Sequence, residues 1–120
     1  MSVYFAIFIM LVSLNEPVPI RVEHEDSNDI LGTRLVYRLK EEIRHSGFAT
    51  IDESSPIHVV VKTMDLMPTI PGQKSMFSVN WIIDTETCKQ QLIYNTIGHF
   101  GISTTNQMVE SLAAETDKFL

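Results

Sequence analysis

Apolar residues recur along this chain with two different periods. From Ile20 to His24 they alternate, which places Ile20, Val22 and His24 on one face of a short strand. Over residues 30–46 the spacing changes to four. Leu31, Leu35, Leu39 and Ile43 form a continuous stripe with Val36 beside them, and the stripe predicts an amphipathic helix. Ser27, Asn28 and Asp29 precede it as candidate N-caps, and Gly47 follows where a C-cap glycine belongs. Arg44 and His45 sit in its last turn, where cations suit the helix dipole. Residues 57–64 are β-rich. Residues 76–83 alternate again, with Phe77, Val79, Trp81 and Ile83 on one face and Ser78 and Asn80 on the other. A polar turn over residues 84–89 leads to a further strand over 91–100. The pattern closes with a helix over 105–119, capped by Thr104 or Thr105. Met108, Leu112, Ala113, Thr116 and Leu120 trace its inner side, with Val109 alongside.

The predicted order is β-α-β-β-β-α. Two amphipathic helices need an apolar surface on which to bury their stripes, and one face of a sheet supplies it. The expected fold is therefore an α/β (α+β) two-layer sandwich, with a four-stranded mixed sheet covered by two helices.

The most hydrophobic stretch, residues 3–12 (VYFAIFIMLV), lies ahead of that pattern. Three readings compete for it. Its length suits the core of a signal peptide, typically about 7 to 15 residues. Its β-branched and aromatic content suits a fully buried strand. A membrane anchor is disfavoured, because a span needs roughly 17 to 25 apolar residues and Ser13, Asn15 and Glu16 interrupt the run. The expected organisation is residues 1–15 as a signal peptide or extra N-terminal strand and 16–120 as a single α/β domain.

Charge and cysteine content narrow the function classes. Nine basic and fifteen acidic residues among 120 leave a formal net charge of −6. Such a balance repels a phosphate backbone and an anionic lipid surface, so nucleic acid is not an expected partner. Membrane association is expected only through residues 3–12, if they are retained. The single cysteine, Cys88, excludes an intramolecular disulfide.

No candidate chemistry assembles itself from sequence spacing. Glu23, His24, Glu25, Asp26 and Asp29 are rich in ligand atoms, yet Glu23 and Glu25 face away from His24 on a regular strand. The segment also lacks the glycine and oxygen spacing of a calcium loop. His58 and His99 sit on predicted strands outside any paired-ligand motif, so neither a metal nor a cofactor is expected. Cys88, in a polar turn, reads as a free surface thiol. Trp81 reads as core rather than as a stacking platform. The methionines and prolines over 64–76 mark a connection whose exposed side chains suit a partner surface. Residues 98–105 stand out: Gly98 and Gly101 flank His99 and Phe100, and a polar run then enters a helix. His99, Ser103 and Thr104 are the candidate ligand-binding residues, although the segment is not a phosphate-binding loop.

The run from Ile20 to His24, the helix carrying Leu31 to Ile43, the strand over 57–64 and the closing helix follow an apolar start. In this layout the chain resembles the lipopolysaccharide-assembly lipoproteins of the Gram-negative outer membrane, which pack two helices on a four-stranded sheet. The resemblance covers about residues 19–119. It implies an envelope location. That family's lipidated cysteine has no counterpart after residues 3–12. The expected function is a non-catalytic exported domain of the periplasm or cell envelope that binds another protein or assists assembly. Two alternatives stand beside it. One is a small-ligand binder or hydrolase-like enzyme using the 98–105 bend, with Cys88 or His24 as further candidates. The other is a cytoplasmic adaptor with residues 3–12 as a structural strand.

Overall fold

The computed structural model describes residues 17–25 and 28–120. Residues 3–12 and the candidate cap Ser27 lie outside the described residues. The elements run β1 (Val18–Glu25), α1 (Ile30–Ser46), β2 (Ala49–Ile51), β3 (Ile57–Asp65), β4 (Lys74–Ile83), β5 (Gln91–Gly101), a single 3-10 turn (Ile102–Thr104) and α2 (Thr105–Phe119). They form a mixed sheet in the order β2-β1-β3-β4-β5. β1 runs parallel to both β2 and β3, while β3, β4 and β5 form an antiparallel meander. Both helices pack on one face, which makes the expected two-layer α/β sandwich.

That layer arrangement follows from the periodicities. Ile20 and Val22 of β1, Val59 and Val61 of β3, and Phe77, Val79 and Trp81 of β4 point to the helices and are buried. The α1 stripe of Leu31, Leu35, Val36, Leu39 and Ile43 closes over them, and Val109, Leu112 and Ala113 of α2 complete the core. Each fully buried aliphatic or aromatic side chain contributes on the order of 1.5–3 kcal/mol of transfer free energy. Trp81 satisfies its one polar atom by donating Nε1–H to Thr116 Oγ1 at 3.0 Å, and Thr116 in turn donates to the carbonyl of Leu112 at 2.8 Å. A threonine on the inner side of α2 thus lets the sheet bury an indole without an orphaned donor.

Two details depart from the pattern-based expectation. The described residues form a sheet of five strands rather than four. β2 is three residues long, too short to display a period, and it forms because the free edge of β1 offers a ladder to the chain emerging from Gly47. Asp29 occupies the N-cap position of α1, but its side chain does not cap the helix. Instead it is buried and accepts a hydrogen bond from Ser75 Oγ at 2.9 Å, tying the start of α1 to β4.

Gly32, in the first turn of α1, has a role that propensity alone does not suggest. A Cβ there would lie 1.9 Å from Thr63 Oγ1, so the helix approaches β3 too closely for any side chain. Thr63 uses the same oxygen to meet His24 Nε2 at 2.7 Å.

Candidate functional site

The bend over residues 98–105 is built by three local devices. β5 ends at Gly101, whose N–H donates to Thr104 Oγ1 at 2.8 Å; the Gly101 carbonyl accepts from Thr105 Oγ1, also at 2.8 Å. The two threonines therefore fasten the bend to β5 instead of capping α2. Upstream, Gly98 leaves room for the Phe77 ring, which an added Cβ would approach to 2.7 Å. Phe100 is buried and fixes the strand end to the core.

This bend forms one wall of a cleft of about 520 Å³. His99, Ser103 and Thr104, the three residues singled out from sequence, all line it. Lys74 of β4, Gln107 and Ser111 of α2 add further polar groups. His99 comes from the uncovered side of the sheet, opposite Met76 in the β4–β5 register, and Lys74 stands opposite Gly101. The cleft is thus lined by residues that carry a cationic group, an imidazole and three hydroxyls. One of those hydroxyls, on Thr104, is already engaged by the backbone.

A second polar constellation lies on the face of the sheet away from the helices. It was not apparent from sequence. His58 is buried although no helix covers it. Its Nε2 lies 2.8 Å from Asp84 Oδ2, while Arg21 Nη2 approaches Nδ1 at 2.9 Å and Nε2 at 2.6 Å. The consistent assignment has Nε2–H donating to Asp84 and Nδ1 accepting from Arg21. Glu23 Oε1 is 3.5 Å from Nδ1 and 3.1 Å from Arg21 Nε. That Arg21 N–H is not aimed at the carboxylate, so the contact is an ion pair without a hydrogen bond.

Asp84 is held below the ordinary aspartate range. The chief cause is the Gln90 backbone N–H, which donates to Oδ1 at 2.7 Å; partial burial opposes it, and His58 and Lys89 reinforce it. Glu25, Lys62, Asn80 and Gln90 complete the rim of this cleft, to which no hydroxyl or thiol is contributed by the described residues. The aspartate and histidine match the orienting half of a catalytic triad, without the nucleophile that the other half requires. Their shared role here is to bridge β1, β3 and the β4–β5 turn.

The remaining candidates are dispersed. His24 faces the helix layer and bonds to Thr63. Cys88 is exposed in a turn closed by the Thr85 side chain and backbone. No group of three or more metal-ligating side chains occurs among the described residues. No helix among them is long and apolar enough to cross a membrane. Compared with known proteins, the chain matches no family model and no curated protein sequence.

Proposed function

We propose that this chain is a non-catalytic exported domain of the cell envelope that binds a partner protein through the uncovered face of its sheet. One observation carries the binding part. The end of that face formed by the β3–β4 hairpin exposes Met64, Met76 and Ile97, and the hairpin loop adds Leu66, Met67 and Ile70. A contiguous apolar patch rimmed by polar groups is characteristic of a protein-contact surface. Flexible methionines suit such a surface, because they repack against irregular partners. The export part is supported by residues 3–12 alone.

A photo-crosslinking residue placed at Met64 or Met76 in cells tests the binding reading. The expected result is an adduct of defined mass from the sheet face and none from Tyr37, which is exposed on α1. Adducts from Tyr37 only, or none from either face, would sink it. A mature N-terminus between Ser13 and Pro19 in an envelope fraction supports export. An intact segment 3–12 in a cytoplasmic pool refutes it and favours the adaptor.

A second reading is favoured by the meeting of His99, Ser103, Thr104 and Lys74 at one cleft. It has the bend holding a small anionic ligand. With inorganic phosphate as the probe, saturable amide shifts confined to residues 99–105 and abolished by Lys74→Ala support this reading. Shifts that fail to saturate reject it.

A further inference from the structure

Among the described residues, the two edges of the sheet are unequal. β2 forms one edge with three residues, lying against α1. β5 forms the other with eleven, most of them exposed. A long free edge presents unpaired backbone groups, and proteins ordinarily blunt it with charge, proline or a bulge. β5 contains no proline, lysine, arginine, aspartate or glutamate. It has one bulge, near its start: Trp81 pairs with Tyr94 and Ile82 with Leu92, which leaves Ile93 without a partner. From Tyr94 to Gly101 the ladder is regular. Ile97 lies near the middle of this run and is 65% exposed, a level matched among the exposed large hydrophobics of the described residues only by Tyr37 on α1.

The geometry points to β5 as a self-pairing edge, at which a second copy of this chain adds its own β5 antiparallel about a two-fold axis through Ile97. Three observations favour a second copy as the occupant. The most exposed apolar side chain of β5 lies near the middle of its regular run, so an axis there sets Ile97 against Ile97 of the partner copy on the uncovered face. The same register puts Asn95 opposite His99 and Thr96 opposite Gly98, so polar groups meet polar groups and a small residue meets a glycine. Each chain carries a formal net charge of −6, and β5 is a strip along which two such chains meet without opposing carboxylates. An isologous contact of this kind closes as a dimer. Head-to-tail growth would require β5 to pair with the three-residue β2, which offers too short a ladder. The Phe77 ring already covers Gly98, the weakest point of an edge strand, and stiffens the run for pairing. The dimer would join two uncovered faces into one continuous surface, and in that respect it rests on the proposed binding role.

Sedimentation of the full chain over a wide concentration range tests the pairing. A reversible dimer is expected, with association weakened about 100-fold or more by Ile97→Lys, which brings two like charges together at the axis. Asn95→Lys is a second variant with the same expected direction, and circular dichroism verifies that both remain folded. In a Cys88→Ser background, Ile97→Cys should cross-link to a dimer under mild oxidation, because a residue facing itself across an antiparallel pair lies within disulfide reach. Tyr37→Cys should not. A monomer at every concentration, a dimer insensitive to both lysine variants, or cross-linking equal at Tyr37 would overturn the proposal. So would a different protein captured at Ile97→Cys in place of the second copy. The partner-binding reading fails separately: a chain that dimerises but gives no Met64 adduct with another protein loses that reading and keeps the dimer, whereas a monomeric Asn95→Lys chain that still gives the Met64 adduct keeps that reading.

Discussion

On the helix side of β4, Phe77, Val79 and Trp81 are sealed beneath α1 and α2. One residue along the same strand, Met76, Ser78, Asn80 and Ile82 face no helix and are only partly covered. Both faces use the alternation of a single strand, yet they hold together by different physics. The helix side is stabilised by transfer of apolar surface from water, and its polar side chains pair with one another: Trp81 with Thr116, Asp29 through Oδ1 with Ser75, and His24 with Thr63, while Asp29 Oδ2 is buried without a hydrogen bond. The opposite side buries Val60 and His58 at its centre by means of neighbouring long side chains and a charge-assisted network. The first kind of stability is nearly independent of pH and salt. The second responds to both.

The sharpest break of this contrast is Trp81→Ala. It empties the largest buried side chain, removes ring contacts with Tyr94 and Phe119 at 5.6 Å, and takes the indole donor from Thr116, which keeps only its bond to the Leu112 carbonyl. Urea denaturation should show a loss of about 3–5 kcal/mol; a loss as small as that of a surface change would mean that the helix layer does not seal this face. Next in size is Gly32→Ala. The close approach of Thr63 forces α1 away from β3, with an expected cost at the upper end of about 1–3 kcal/mol. Unchanged thermal stability would show that the helix sits farther from the sheet than described.

The network on the other face gives a smaller effect with a distinct pH signature. Asp84 is depressed, so its contribution is fully present above the ordinary aspartate range and is lost as pH falls through its lowered value. The stability difference between wild type and Asp84→Asn should therefore stay constant from neutrality to about pH 5 and shrink on further acidification. A difference that grows below that point contradicts the assignment of Asp84 as an acceptor from Gln90 and His58. Least of all, Ile97→Ser on the uncovered face should change the unfolding free energy by no more than about 0.5 kcal/mol. A substantially larger loss, measured on dilute monomer, would mean that this side chain is packed within its own chain.

The candidate site was legible only where its residues are contiguous. His99, Ser103 and Thr104 lie within six positions, so a strand end, a glycine bend and a helix start brought them to one cleft by local rules. Lys74, which joins them, arrived through the β4–β5 register and had no local signal. The Arg21–His58–Asp84 network was invisible for the same reason on a larger scale: His58 is 37 positions from Arg21 and 26 from Asp84. No motif spans such gaps. A charged strand residue next to a central, wholly apolar run such as Val59, Val60 and Val61 is a faint hint that something must shield it.

By itself the sequence determined both helices, three of the long strands nearly to their ends, and the packed face of β4. Those follow from periods of 3.6 and 2 acting within single segments. Tertiary structure alone decided the rest. β2 exists because an open parallel edge stood beside it. Asp29 left its cap because Ser75 was within reach, and Gly32 became indispensable because Thr63 crossed beneath it. The sheet kept one face uncovered because two helices of this length cover one side only. Each of these depends on distances between segments remote in the chain, and such distances are set only once the layers have packed.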